Sequence, residues 1–233
     1  MMVAMKEPLV NDEPVSGATT RVFEAAPAPM AAALPALSFA DPTALGLFGL
    51  AIGCAALLPI AFGVKSAMTV DALRTASWMC LLFGGGCQFL AGLMSFANKN
   101  MLGGTLLTTF SFNWVMNWWA LDGLANGKPA SSAIVLSVDL CFLLIFFAMT
   151  YAFAFFARVL VIFLLDIDAI YILRVARELF HVQTGTAIAV ATVVLMFIAI
   201  YIAVSLVLVS ASGKSPLPLG PPMLKGVGPA PSH

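Results

Sequence analysis

Long apolar runs separated by short polar clusters set the organisation of this chain. Six of these runs are long enough, or nearly so, to cross a hydrocarbon core of about 30 Å. They lie near residues 44–64, 73–97, 102–124, 132–156, 159–180 and 185–210. A single arginine, Arg158, must mark the turn inside the apolar stretch 134–173, because that stretch is too long for one span. We therefore predict an all-α integral membrane protein with six transmembrane helices forming a compact bundle.

The two ends of the chain differ in composition from the apolar centre. Residues 1–40 mix charged residues with Pro, Ala and Ser, which predicts a flexible N-terminal tail. Residues 213–233 are proline-rich and are predicted to form a flexible C-terminal tail. The transmembrane domain then covers residues 41–212, and six spans would place both tails on the same side of the membrane.

Composition supports a membrane protein and excludes several other classes. Hydrophobic residues make up 61% of the chain and charged residues only 9%, so a bilayer is its natural solvent. The formal net charge is zero, and no basic run or basic-aromatic patch indicates a nucleic-acid partner. Lys and Arg are nearly balanced between the two predicted sides, so the positive-inside rule leaves the orientation open.

The cysteines and histidines do not predict a metal site or a cofactor. All four cysteines (Cys54, Cys80, Cys87 and Cys141) lie inside apolar runs, where we interpret them as small buried hydrophobes. There is no CxxC or His-rich spacing, and no nucleophile lies beside a candidate base. We therefore predict that the chain is not an enzyme and that it binds lipids and a small solute.

The third apolar run carries the clearest polar stripe. Thr105, Thr109, Asn113 and Asn117 recur every four residues, so they form one slightly drifting line on a helix. The two asparagine amides need partners across a helix interface or water. The stripe therefore lines an aqueous path or belongs to a sealed interhelical network. Gln88 in the second run has the same two interpretations, an interhelical hydrogen bond or a path-lining group.

Two acidic residues, Asp166 and Asp168, lie within the fifth apolar run. Residues two apart point to nearly opposite sides of a helix, so they do not form a paired acid–base dyad. A carboxyl group here is protonated, bonded to another helix, or exposed to a wet path. We treat both residues as candidates for proton coupling or for tuning the charge of a path, beside a purely structural interpretation.

Three segments resemble one known family. The first is the motif from Asp41 and Pro42 to Leu45, Gly46 and Leu47, which opens the first run as Asp-Pro-Thr-Ala-Leu-Gly-Leu. It resembles the Asn-Pro-Ala-Pro-Leu-Gly-Leu signature of the acetate uptake transporter family (YaaH-like succinate–acetate permeases). Residues 84–93 and 100–114 resemble the family's second-helix and third-helix segments. The resemblance covers roughly residues 41–210.

The resemblance implies a fold and a function. Members of that family are six-helix anion channels or proton-linked permeases for acetate, and some also carry succinate. They assemble as hexamers with a separate pathway in each subunit, and both termini are in the cytoplasm. Alignment places Leu50, Phe110 and Ile167 at the family's hydrophobic constriction. An apolar constriction favours a small, partly apolar ion or its neutral acid, and it can gate by dewetting.

We accordingly predict a homo-hexameric channel or proton-linked permease for acetate and similar small monocarboxylates, in the plasma membrane. Asp41 and Ala44 depart from the family motif, and the aspartates beside Ile167 would repel an anion if they were charged. One alternative is a channel for ammonia or ammonium, urea, or another small solute. An alternative of a different class is a non-transporting membrane scaffold or sensor whose polar stripe is sealed.

Overall fold

The computed structural model describes residues 39–214 and 216–225, all within one compact unit, Leu37–His233. Within these two ranges the chain forms long helices and no strand. There are six of them in the described residues: α1 (Thr43–Ala61), α2 (Val70–Ala97), α3 (Met101–Ala125), α4 (Ser132–Phe153), α5 (Arg158–Phe180) and α6 (Gly185–Ser212). A short 3₁₀ turn, Lys65–Met68, separates the first two helices. The predicted N-terminal tail lies outside the described residues except for Phe39 and Ala40.

The predicted apolar runs agree with these helices, and no helix end differs from its predicted position by more than three residues. Four helices (α1, α2, α4 and α6) are long and apolar enough to cross a membrane. The other two, α3 and α5, carry the asparagines, aspartates and arginines noted in the sequence. The two helices that fail this test therefore carry most of the polar candidate residues.

Helix α2 contains a stretch of π-helix at Cys80–Cys87, which includes three consecutive glycines. This stretch packs closely against α1. A Cβ atom on Gly49 of α1 would lie 2.5 Å from the Phe83 carbonyl oxygen and 2.5 Å from the Cys87 Cβ atom. Only glycine fits there, which agrees with the small-residue helix contacts typical of membrane bundles.

The six helices pack as two groups of three. Helices α1, α2 and α3 contact one another, α5 contacts both α4 and α6, and the pair α1–α6 joins the groups. Aromatic rings bridge the groups in the core. The Phe146 ring of α4 meets the Phe110 ring of α3 edge-on at 5.2 Å and stacks on the Tyr171 ring of α5 at 5.4 Å. The site lies along this seam.

The outside of the bundle is strongly apolar. Leu144 on α4 is 71% exposed and Phe197 on α6 is 61% exposed, and many other large hydrophobic side chains also face outward. Exposed apolar surface of this extent is costly in water but favourable against lipid. The burial pattern thus agrees with the membrane environment predicted from composition.

Part of the segment predicted to form a flexible C-terminal tail contacts the helices. Within residues 216–225, backbone groups of Leu219, Pro221, Met223 and Leu224 form hydrogen bonds with the turn between α4 and α5. The physical reason is that the turn offers unpaired helix-end groups, which a proline-rich backbone can satisfy. These residues therefore pack against the bundle.

Candidate functional site

Two cavities enter the seam between the helix groups from opposite ends. The near cavity, about 190 Å³, lies at the end where α1 begins and α6 ends. The far cavity, about 280 Å³, lies at the end where α1 ends and α6 begins. Each is several times the roughly 30 Å³ that one water molecule occupies in the liquid. The side chain of Phe110 lines both cavities, so it marks their boundary.

The boundary between the cavities is buried and apolar. Leu50, Phe110 and Ile167, the residues predicted to form a hydrophobic constriction, are 0%, 4% and 1% exposed. All three belong to the same buried core cluster. Leu50 lies one helical turn from Leu47, which lines the near cavity, and one turn from Cys54, which lines the far cavity. The structure thus brings the three predicted residues together where the cavities approach each other.

The far cavity carries most of the polar groups. Asn113 and Asn117 of α3 face Arg174 and Arg177 of α5 across it, with Thr192 of α6 nearby. Arginine and amide groups donate hydrogen bonds, and an arginine cannot lose its charge. The lining therefore suits a solute that accepts hydrogen bonds, such as a carboxylate.

A hydrogen-bonded network fixes the groups of the far cavity. The Tyr171 hydroxyl donates to Asn113 Oδ1 at 2.9 Å. Arg174 lies above the Tyr171 ring, 5.4 Å from its centroid. Its Nε–H donates to Asp139 Oδ2 at 2.9 Å, and its Nη2 atom lies 2.9 Å from Oδ1 in the ion pair. The Asn113 oxygen accepts from Tyr171, whereas the Asn113 amide nitrogen donates no hydrogen bond among the described residues and can donate to a solute.

The near cavity is more apolar. Its walls include Leu106, Phe153 and Phe163, and its polar groups come from Asp41 and Gln88, with Asn100 and Thr43. The Gln88 side chain is 1% exposed, and its Oε1 atom has no hydrogen-bond partner within the described part of the protein. A buried acceptor in this position can be satisfied by water or by a solute that donates a hydrogen bond.

The predicted opening motif forms the start of α1 at this end. Asp41 Oδ1 accepts a hydrogen bond from the Thr43 backbone N–H at 2.9 Å, and Pro42 precedes the first helical residue. Leu47 lines the near cavity, Gly46 is buried, and Leu45 faces outward. The motif therefore shapes the helix start and contributes Asp41 and Leu47 to the cavity.

Two members of the predicted polar stripe, Thr105 and Thr109, line neither cavity. Both are half-buried on another face of α3. The face of α3 that does line the cavities carries Leu106, Phe110 and Asn113, followed by Asn117. The structure thus joins the asparagines and Gln88 to the cavities and separates the threonines from them.

The two aspartates of α5 also line neither cavity. Asp168 is 2% exposed, and its Oδ2 atom accepts a hydrogen bond from the Thr150 hydroxyl of α4 at 2.7 Å. Asp166 is half-buried, and its Oδ2 atom has no partner among the described residues. The geometry at Asp168 corresponds to the structural interpretation, a carboxyl group bonded across helices.

Sequence reasoning missed Tyr171, Arg174 and Asp139 as members of the site. The signal for the first two was present: residues four and seven positions after Ile167 lie on the same helix face. The pairing of Asp139 with Arg174 spans 35 positions and two helices, so helical spacing does not reveal it. Among the described residues there is no group of three His, Cys, Asp or Glu side chains suited to a metal ion.

Comparison with solved structures shows what this geometry resembles. The structure of the bacterial acetate channel SatP superimposes with a TM-score of 0.66 at 20% sequence identity, over 78% of this chain and 100% of SatP. The chain has the fold of an acetate channel. The resemblance predicted from the sequence motifs is thereby confirmed. The chain is an integral membrane protein, as the sequence predicted, and SatP, whose fold it shares, is a channel.

Sequence comparison adds one relative. The glyoxylate pathway regulator of Yarrowia lipolytica (strain CLIB 122 / E 150) is 32% identical over 107 residues. The match covers 46% of this chain and 38% of that protein, so the chain spans well under half of its curated relative. A comparison with protein-family models finds no match. The likeness to SatP, which covers most of this chain, is therefore the comparison used to interpret the two cavities.

Proposed function

We propose that the chain is a transmembrane channel or proton-linked permease for acetate and similar small monocarboxylates. The observation that carries the proposal is the arrangement of two cavities on either side of Phe110 in a fold shared with an acetate channel. In this proposal all six helices cross the membrane. The solute then passes from one cavity to the other along the seam between the helix groups.

The chemistry of the far cavity supports a monocarboxylate. A carboxylate accepts hydrogen bonds, and the cavity presents the free Asn113 amide nitrogen, the Asn117 side chain and two arginines. Arg174 shares its charge with Asp139, whereas Arg177 meets only Glu178, at 3.2 Å, in the described ion pairs. Both arginines line the cavity, whereas neither Asp139 nor Glu178 does, so the wall presents cationic donors that favour anions over cations.

The apolar constriction supports a small solute with an apolar part. Leu50, Phe110 and Ile167 offer no hydrogen-bonding side chain, so an ion loses hydration when it passes them. A methyl group beside a carboxylate reduces this cost, and a neutral acid reduces it further. An ammonium ion lacks both advantages, and it meets arginines in the far cavity. The lining therefore favours the monocarboxylate over the cationic alternative.

Proton linkage forms a separate part of the proposal. Asp166 and Asp168 lie beside Ile167 in the chain but outside the cavity walls. We assign Asp168 mainly to holding α4 against α5 through Thr150. Among the described residues Asp166 accepts no hydrogen bond, whereas Asp168 accepts one on Oδ2 and none on Oδ1. Asp166 is then the candidate for proton coupling or charge tuning.

The assembly and location follow from the same proposal. We propose a homo-hexamer in the plasma membrane with both termini in the cytoplasm and one pathway in each subunit. The broad apolar exterior of the single chain, with side chains such as Leu144, supplies surface for neighbouring subunits as well as for lipid.

Uptake of radiolabelled acetate into proteoliposomes tests the proposed function. The wild-type protein should exceed protein-free liposomes, and Asn113→Leu should abolish most of that uptake. Leu144→Ala, on the exposed face of α4, is the control and should retain wild-type uptake. Folded wild-type protein that gives no uptake above protein-free liposomes, for acetate and for other small solutes, would overturn the proposal.

A further inference from the structure

The segment after α6, residues 216–224, lies against the near end of the bundle; we call it the C-terminal segment. Its side chains alternate: Leu217 and Leu219 are half-buried, whereas Pro216, Pro218 and Gly220 are exposed. An alternation of this kind is typical of an extended strand-like segment that lies on a surface with one face inward. The proline residues keep the chain from continuing the helix α6.

Helix α6 holds the first part of the segment. The Ser205 hydroxyl donates to the Leu217 carbonyl oxygen at 2.8 Å, and the Tyr201 hydroxyl donates to the Pro218 carbonyl oxygen at 2.9 Å. Ser205 is 0% exposed. Two side chains one helical turn apart thus bind consecutive carbonyl groups and fix the direction of the segment.

The middle of the segment caps α5. Ala157 precedes this helix and has no side chain able to bind its free N–H groups. The Arg158 N–H donates to the Pro221 carbonyl oxygen at 3.2 Å, and the Val159 N–H donates to the Leu219 carbonyl oxygen at 3.1 Å. A proline-rich segment suits this task because it offers carbonyl acceptors and few N–H donors.

The end of the segment binds the last turn of α4. The Ala154 carbonyl oxygen accepts hydrogen bonds from the N–H groups of Met223 and Leu224, both at 2.9 Å. Gly220 permits the bend between these contacts, since its φ is +76° and a Cβ atom there would lie 3.1 Å from the Arg158 Cβ atom. The segment therefore satisfies both helix ends at the α4–α5 turn.

One side chain of the segment reaches the near cavity. Leu219 lines it together with Phe156 and Leu160 of the α4–α5 region and Leu206 of α6. Leu219 also packs against the buried core cluster. Leu217, two positions earlier and also half-buried, does not line this cavity.

We propose that the C-terminal segment is a wall of the permeation pathway, and that Leu219 limits the size of solute admitted at the near cavity. This inference rests on the proposed transport function for its solute. The hydrogen bonds to α4, α5 and α6 hold the backbone of the segment in place, and the Leu219 side chain closes the gap between them. Residues 216–224 then belong to the transport domain.

The rate at which a cysteine in the near cavity is chemically modified tests the role of Leu219 without any transported solute. The four native cysteines are replaced by alanine, and Leu106, a buried residue of the near cavity, is replaced by cysteine. A water-soluble methanethiosulfonate reagent should modify Leu106→Cys several-fold faster when Leu219→Ala is added. The matched control is Leu217→Ala, which changes another half-buried leucine of the same segment. It should leave the modification rate near that of Leu106→Cys alone. Leu219→Trp should slow modification.

Transport gives the second measurement, on the wild-type background. Leu219→Ala should raise the uptake of butyrate relative to acetate several-fold, whereas Leu217→Ala should not change the ratio. Equal effects of Leu217→Ala and Leu219→Ala on modification, or no effect of any Leu219 variant, would overturn the inference. If modification follows the prediction while no variant or wild-type protein takes up any acid, the wall stands and the proposed function fails.

Discussion

The two cavities differ in chemistry although they meet at the same phenylalanine. The far cavity holds arginines and amides in a fixed network, whereas the near cavity is mostly apolar and is closed in part by a leucine from the C-terminal segment. Charge can select at one end and size at the other, because field and shape act independently. The difference implies that substitutions at the two ends should change different properties of transport.

Breaking the ion pair beneath the far cavity should have the largest effect. Arg174→Met leaves the Asp139 carboxylate, which is 1% exposed, without its partner. Loss of one partner of a buried pair costs about 3–5 kcal/mol of stability, whereas an apolar replacement of both is far less costly. Thermal unfolding in detergent should show a large drop for Arg174→Met and substantial recovery for Arg174→Met with Asp139→Leu. Equal melting of the two variants would contradict this interpretation.

Removing the free amide of the far cavity should have the next largest effect, measured here on transport. A hydrogen bond to a charged group contributes about 1.5–3 kcal/mol, so Asn113→Leu should lower acetate uptake by about tenfold or more. The ratio of butyrate to acetate should stay near the wild-type value, because size is selected at the other end. A change in that ratio as large as the one caused by Leu219→Ala would show that the far cavity also selects by size.

Removing the hydrogen bond that orients the Asn113 amide should have a smaller effect on acetate uptake. Tyr171→Phe removes the hydroxyl that donates to Asn113 Oδ1, so the amide can turn its oxygen toward the cavity. A typical hydrogen bond contributes about 1 kcal/mol, so acetate uptake should fall by about fivefold. Competition by methylammonium, a cation of similar size, should rise at the same time. Unchanged uptake and competition would show that the amide orientation does not contribute to selection.

The smallest effect is expected at Asp168. Asp168→Asn keeps an oxygen that can accept the hydrogen bond from Thr150, and the residue lines neither cavity. Acetate uptake at neutral pH should therefore remain close to wild type, as measured in proteoliposomes. If transport is proton-linked, Asp166→Asn should reduce the stimulation of uptake by acidic external medium, and Asp168→Asn should not. The reverse result would reassign the two carboxyl groups.

The fold was predictable because membrane helices have a simple requirement. A run of apolar residues must be long enough to cross the hydrocarbon, and its backbone must satisfy its own hydrogen bonds. The turn at Arg158 was found from length alone and is confirmed by the start of α5. The docking of residues 216–224 was not predictable, because composition describes a proline-rich segment without showing which free helix ends it meets.

The candidate site was only partly predictable, for a reason that lies in helix geometry. Each residue of an α-helix turns by about 100°, so steps of four residues drift by about 40° each. From Asn117 back to Thr105 the drift reaches about 120°, and the threonines leave the face that the asparagines share. Phe110 is three residues before Asn113, and Leu106 is four residues before Phe110, so both stay on that face. A stripe chosen by polarity alone therefore missed the apolar residues of the α3 face that lines the cavities.

If acetate passes between the two cavities beside Phe110, the size of the side chain at this position should control its uptake. Radiolabelled acetate uptake would be compared among wild type, Phe110→Trp, Phe110→Ala and the lipid-facing control Leu144→Ala. Phe110→Trp should lower uptake to the level of protein-free liposomes, and Phe110→Ala should retain acetate uptake. Acetate uptake that does not depend on the size of residue 110, in folded protein, would show that acetate does not pass beside Phe110.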